Sequence, residues 1–229
     1  MISKDTLWKG IIEDLVEEFI HFFFPDYIQQ IDFSKGFVFL DKELDQLTAP
    51  SASRQRRADK LFKAWLKEGM EQWFLVHVEV QGYADPEFAR RMFEYAYRIH
   101  DRFNRPVTAL VIYTATDRRY HINEYRSSFF GTEIIYRFPT FILMDHSPEQ
   151  LRRSDRFFAL VLEIARRDLD RRKKDDRELL EIKLELVRHL FQQGMPKGKV
   201  RHLLDFIGQY IRFEKNQFLH KFEEELQVI

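Results

Sequence analysis

Ala58-Asp59-Lys60-Leu61-Phe62-Lys63-Ala64-Trp65-Leu66 and Trp73-Phe74-Leu75-Val76-His77-Val78-Glu79-Val80-Gln81, joined by Lys67-Glu68-Gly69-Met70-Glu71-Gln72, are the stretches on which the reading of this chain turns. Both runs are rich in aromatic and aliphatic residues, and the charged, glycine-bearing connection suits a hairpin loop. Successive side chains of a strand alternate faces, so Trp73, Leu75, His77, Glu79 and Gln81 share one face, and Phe74, Val76, Val78 and Val80 the other. One face is apolar; the other ends in polar groups. A hairpin folded symmetrically about Gly69 sets Asp59 directly opposite Glu79, with Cβ atoms about 5 Å apart. Two carboxylates that close repel unless a cation lies between them or one takes up a proton. Carboxylate oxygens suit the hard ions Mg²⁺ and Mn²⁺, and Gln81, two residues on, can orient a water for phosphodiester hydrolysis. On spacing alone the other reading of a strand-end acid, a solvated terminus or an ion-pair partner, stays open.

Working outward, Asp85-Pro86 offers an N-cap and a first-turn proline, and Phe88, Met92, Tyr95, Ala96, Ile99 and Phe103 form one apolar stripe down to Asn104. Pro106 to Thr114 is nearly all apolar, as in a strand buried on both faces, and Ile134 to Met144 offers another strand. Strand, strand, helix, strand predicts an α/β sheet. Upstream, Leu7, Ile11, Ile12, Leu15, Val16, Phe19, Phe22 and Phe23 predict one amphipathic helix from Asp5 to Phe24, stopped before Pro25. Downstream of Pro148 the pattern is helical: Asp155 to Arg167, Asp176 to Gln193, and about Pro196 to Leu226. The expected division is therefore residues 1–147, carrying the sheet, and 148–229, an all-helical C-terminal extension.

The 229 residues include no cysteine, which excludes disulfides, Cys-ligated metals and thiol nucleophiles. Lys plus Arg and Asp plus Glu are 37 each, so net charge points to no partner. No apolar run approaches the roughly 18 residues of a membrane span, and the first residues lack a signal-peptide pattern. A cytoplasmic protein with no membrane partner is expected. P-loop, nucleophile-elbow, dinucleotide-glycine and HExxH motifs are absent, which removes sequence support for nucleotide hydrolysis, serine hydrolysis, Rossmann redox chemistry and zincin proteolysis.

Five blocks taken in order, Phe39 to Leu44, Ala58 to Lys63, His77 to Gly82, Arg90 to Ile99 and Pro106 to Thr114, resemble the Rpn-like (recombination-promoting nuclease, transposase-like) branch of the PD-(D/E)XK nuclease superfamily. The resemblance spans roughly Trp8 to Asp145. It implies a restriction-endonuclease-like central mixed sheet flanked by helices, cutting DNA with Mg²⁺. Carried over by position, Asp59 is the first acid and Glu79 the second. Gln81 stands where most of the superfamily has lysine, supplying hydrogen bonds but no positive charge; glutamine is the usual occupant in this branch.

Around that core, Lys63 shares the Asp59 face and is a candidate for the missing cation, and Glu43, ahead of Asp41 in promise, for an additional acid. Arg54, Arg56 and Arg57, with Lys60, form a candidate phosphate patch beside Asp59. Arg91, Tyr95, Arg98 and Arg102 recur on one helix face, where they either hold DNA phosphates or pair with Glu87, Glu94 and Asp101. His77 is either a neighbour of the site or a hydrogen-bonded core histidine. His189 to Leu204 reads as helix, turn, helix, more simply a packing hairpin than a DNA reader. Two rival functions remain: a nuclease fold that binds DNA or a protein without cutting, and a helical module that self-associates through Leu179, Leu186, Leu190 and Leu203, Phe206, Tyr210.

Overall fold

The computed structural model describes residues 2–47, 58–79, 86–114, 116, 117, 119, 121–170 and 174–228, with the backbone alone at 58, 59 and 76–79. In chain order the regular elements are α1 (Lys4–Asp14), α2 (Val16–Phe23), β1 (Val38–Phe39), α3 (Asp41–Leu47), β2 (Ala58–Trp65), β3 (Glu71–Glu79), α4 (Phe88–Phe103), β4 (Val107–Tyr113), β5 (Glu124–Phe129), β6 (Thr132–Arg137), β7 (Thr140–Ile142), α5 (Pro148–Arg152), α6 (Phe158–Leu169), α7 (Asp176–Gln192), α8 (Lys197–Tyr210) and α9 (Asn216–Leu226). They form two compact units, Asp26–Leu143, which holds the strands, and Met1–Pro25 with Met144–Ile229, which is helical. The expected partition left the first helices with the sheet; residues 1–25 cluster instead with the C-terminal helices.

In the sheet-bearing unit the strand order is β1-β2-β3-β4-β7. β2 runs antiparallel to both of its neighbours, β1 and β3, whereas β3, β4 and β7 run parallel, giving the expected mixed sheet. α4 is the crossover that parallel β3 and β4 require. Its stripe Phe88, Met92, Tyr95 and Ile99 packs on Leu61, Trp73, Leu75, Ala109, Val111 and Tyr113. Asn104, at φ 48°, ends the helix in the left-handed conformation that asparagine tolerates. Ala109 to Tyr113 are all buried, as the unbroken apolar run requires of a strand flanked on both edges.

The β2–β3 hairpin differs from expectation by a two-residue shift in pairing. Asp59 pairs with His77, and Ala58 with Val78, so the axis of the hairpin passes through Glu68 rather than Gly69. The cause lies in the turn. Gly69 N–H donates to Leu66 O at 2.8 Å, Leu66 N–H to Met70 O at 2.7 Å, and Gly69 takes φ 88°. Glycine thus occupies the left-handed third position of a three-residue loop, not its apex. On the other side, Lys67 N–H donates to Gln30 O and Asp32 N–H to Trp65 O, both at 2.8 Å, which ties down the turn.

Where one strand was expected over Ile134 to Met144 there are two. Phe138 drops into the core, Pro139 offers its carbonyl to Val111 N–H at 3.0 Å, and β6 pairs with β5 in a separate two-stranded sheet.

In the helical unit the expected N-terminal helix breaks at Leu15, φ −125° and ψ 35°, into α1 and α2. The break lets each half bury its own aromatic face. Trp8 Nε1–H donates to the Tyr210 hydroxyl at 3.1 Å, and the Phe19 ring lies 5.2 Å from that of Phe158. Lys4 pairs with Asp168 and Lys199 with Glu18 across the same contacts. The long last helix expected from Pro196 is also two, α8 and α9, because the Asp176 carboxylate accepts the Glu214 and Lys215 N–H groups and holds the chain bent there. Leu179, Leu186, Leu190, Leu203, Phe206 and Tyr210 are buried within the unit, so the stripes that suggested self-association are occupied by the fold itself. The helix–turn–helix stretch is likewise internal packing: Leu190 and Leu203 are buried, and Gly194, at φ 66°, makes the turn. Among the described residues no helix is long and apolar enough to cross a membrane.

Lys183 is fully buried in this unit, its ammonium donating to Gly208 O and Ile211 O at 3.1 Å and lying over the Phe213 and Phe222 rings. Burial pushes its pKa down to about 8. Between that value and the unfolded value of roughly 10.4, the unfolded chain holds a proton that the folded chain has shed, so stability rises with pH through the window. Urea midpoints measured at pH 7.5 and pH 10 are expected to show this rise, and Lys183→Met to flatten it.

Candidate active site

β3 and β4 end side by side, with Glu79 paired to Tyr113 in parallel register. The carboxyl ends of parallel strands are where open α/β sheets form their crevices. Asp59 is paired with His77, two residues before Glu79, which places positions 59 and 79 diagonally across the hairpin rather than directly opposite. Diagonal positions keep the same face of the pleat, with Cβ atoms about 7–8 Å apart instead of about 5 Å. Carboxylate oxygens are donors of the kind that Mg²⁺ and Mn²⁺ take. Gln81, Arg54, Arg56 and Arg57 lie outside the described residues, as do the side chains of Asp59, His77 and Glu79.

Glu43 is half-buried in α3, and the residue that follows it on that helix, Leu44, joins the core with Leu61, two residues along β2 from Asp59. α3 is anchored at its start: the Asp41 carboxylate accepts from Lys60 Nζ at 2.6 Å and from Leu61 N–H at 3.5 Å. Glu43 is therefore carried on an element packed beside the first strand of the site.

The lysines of β2 go elsewhere. Lys60, 3% exposed, lies over the Phe39 ring with its charge on Asp41, which removes it from the phosphate patch proposed beside Asp59. Lys63 donates to Glu71 Oε1 at 2.7 Å and lies over Trp65. That hydrogen bond, helped by Trp73 Nε1–H and Arg105, holds the Glu71 carboxyl below its usual range. Lys63 is four residues from Asp59, about 13 Å along the strand, at the turn end of the hairpin.

On α4, Arg91 lies over the Phe88 ring and Arg98 stands 3.8 Å from Glu94. Tyr95, counted in the sequence as the aromatic among these arginines, is buried in the core. Arg102 donates to Gln46 of α3 at 3.0 Å. The Arg98–Glu94 contact is of the intrahelical kind expected of that face, and Arg90, which the expectation did not include, pairs with both Glu87 and Glu94.

Residues that sequence reasoning missed brace the end of β4. The buried Tyr113 hydroxyl donates to Ile122 O at 2.6 Å and accepts from Ile122 N–H at 2.9 Å, and the His121 ring lies 4.6 Å from the phenol. This folds the segment after β4 back onto the strand end opposite Glu79. A tyrosine closing an apolar strand was the available signal, since a buried phenol needs a partner. Asp117, also in that segment, is held down to about 2 by the Arg119 side chain.

A family model described as "Putative transposase, YhgA-like" matches residues 51–217, nearly three quarters of the chain, and the chain belongs to that family. The match begins ahead of β2 and runs into the helical unit, so it includes Asp59, Glu79 and Gln81. No curated protein and no solved structure matches the chain.

Proposed function

We propose that this protein is a metal-dependent DNA endonuclease serving DNA mobility or recombination, with Asp59 and Glu79 as its metal ligands. The observation that carries the reading is the hairpin register, which brings positions 59 and 79 to adjoining places on one pleat face at the carboxyl end of β3, in a chain whose family is named for transposition. When bound, Mg²⁺ or Mn²⁺ would polarise the scissile phosphate and make a water nucleophilic at neutral pH. Asp59 and Glu79 supply the charge and oxygen atoms that hold such an ion. Gln81 orients the attacking water through its amide, Glu43 adds a third acid from α3, and Arg54, Arg56 and Arg57 steady the DNA backbone. The resemblance to PD-(D/E)XK nucleases supports the roles of Asp59 and Glu79, and that to the Rpn-like branch the glutamine at position 81.

A second reading, a nuclease fold that binds DNA without cutting, is favoured by a specific observation. Gln81 carries no charge, and the two β2 lysines nearest Asp59 are committed to Asp41 and Glu71 rather than standing in for the missing lysine.

Supercoiled plasmid incubated with the purified chain and Mg²⁺ or Mn²⁺ is expected to be nicked, with nicking abolished by chelator and by Asp59→Ala. Binding of the plasmid without nicking under either metal would establish the second reading, and equal nicking by the Asp59→Ala chain would remove the first.

A further inference from the structure

The β5–β6 hairpin stands outside the five-stranded sheet, and every residue from Arg126 to Ile135 is exposed. A two-stranded ribbon is marginal in water by itself. This one is gripped at its base: the Phe93 ring of α4 stacks on Tyr125 at 5.0 Å, Tyr136 packs on Phe138, and Phe138 N–H donates to Asn123 O at 3.0 Å. Its tip is the opposite of what a solvent-facing turn needs. Phe129 and Phe130 are 73% and 95% exposed, with ring centroids 4.4 Å apart, and Phe130 adopts φ 45° beside Gly131 at φ 84°. A turn of this kind takes Asn-Gly by default, and a bulky residue at positive φ is strained. The strain is spent on presenting an aromatic ring to solvent, and strain kept in that way marks a functional site more often than a structural one.

We propose that this hairpin is a DNA wedge, inserting Phe129 and Phe130 among unpaired or unstacked bases beside the cleavage site. The proposal rests on the nuclease reading for its choice of partner. Position supports it: the hairpin springs from the segment that Tyr113 braces at the end of β4, where Glu79 is its strand neighbour. Dimensions support it too. From Tyr125 to Phe129 the ribbon extends about 13 Å, longer than either groove of B-DNA is deep, about 7.5–8.5 Å, so the tip has the reach to meet the base stack. Alongside Glu133, Ile134 and Ile135, its exposed groups between base and tip include Arg126, Ser127, Ser128 and Thr132, with Arg137 at the base, donors of the kind that hold phosphates. The arginines are paired with Glu124 and Glu133, but those pairs are solvent-exposed and exchange readily for a phosphate. Phenylalanine is among the side chains that unstack base steps as wedges, and aromatic stacking holds bases without regard to sequence.

The test uses a 30-mer duplex with a three-base bubble carrying 2-aminopurine, a fully paired duplex of the same length, and full chains bearing Asp59→Ala so that binding is read without cleavage. The chain with an intact tip is expected to prefer the bubble and to change the 2-aminopurine fluorescence. Phe129→Ala/Phe130→Ala is expected to weaken bubble binding by roughly tenfold and to erase the preference, whereas Phe130→Trp keeps it. Tyr27→Ala, which removes another exposed aromatic of the same unit, is expected to change nothing. Equal bubble binding by the double variant, in a protein that nicks plasmid, overturns the wedge and leaves the nuclease reading standing. Loss of bubble binding in a protein that never nicks supports the wedge and removes the nuclease. No DNA binding by the intact-tip chain overturns both, and a dimer that the double variant dissociates, with DNA binding unchanged, overturns the wedge in favour of an interface between copies.

Discussion

Glu79→Gln is expected to lower the rate of plasmid nicking by on the order of 10²–10³-fold while leaving the thermal unfolding curve where it was. The substitution keeps the length and shape of the side chain and removes only the charge, so it separates ligand from packing. Glu79 is the last residue of β3, and its backbone is held on one side by Tyr113 of β4, so the strand end does not depend on the carboxylate for its place. Acids at diagonal positions, about 7–8 Å apart, would have to span that distance to share one ion, and a shorter acid tests the span. Glu79→Asp withdraws one methylene, and because Mg²⁺ insists on near-ideal octahedral geometry, the loss is expected to be larger with Mg²⁺ than with Mn²⁺. Nicking by Glu79→Gln at the parent rate would show that the second acid of the motif does not bind the metal.

How much of this could be read in advance follows from the range of each interaction. The two strands of the central hairpin, α4 and β4 were visible because each is long, apolar on the expected period and bounded by local breakers. The register of the hairpin was not, because it depends on which loop position Gly69 occupies, and a one-residue change there moves Asp59 from Glu79 to His77. The breaks at Leu15 and after Tyr210 were hidden for a different reason. Leu15 fits the apolar stripe perfectly well, and what parts the helices is distant: Tyr210 and Phe158 taking the two aromatic faces, and the Asp176 carboxylate receiving two backbone N–H groups nearly forty residues on. Lys60 and Lys63 looked alike in sequence, two positively charged residues near an acid. Their partners, Asp41 and Glu71, were settled by the sheet. The β5–β6 ribbon left a weaker trace, since Phe130-Gly131 lacks the Asn-Gly that announces a tight turn. That positions 59 and 79 share one face of the pleat was legible, because the alternation of faces is local to the strand.

The second large effect concerns the helical unit. Arg152→Ala is expected to destabilise it by about 3 kcal/mol, visible as a fall in its melting temperature of roughly 6–12 °C. Glu163 is fully buried in α6, and Arg152 meets one of its oxygens twice, through Nε at 3.0 Å and Nη2 at 2.6 Å, while Nη1 reaches Glu185. Removing that guanidinium leaves a buried carboxylate whose other neighbours, the Arg167 guanidinium at 3.5 Å and His189 Nδ1 at 3.4 Å, make longer contacts. The cost is the uncompensated charge rather than the lost pair, which is why it exceeds the worth of any surface bridge. Arg152→Lys is expected to recover little of it, because an ammonium cannot touch Glu163 and Glu185 at once with the reach of a planar fork. Glu185→Ala provides the contrast: its side chain is 46% exposed, so its loss frees a solvated group and is expected to shift the melting temperature by only a degree or two. A melting curve in which Arg152→Ala and Glu185→Ala moved equally would mean that the Arg152 guanidinium does not offset a charge penalty at Glu163.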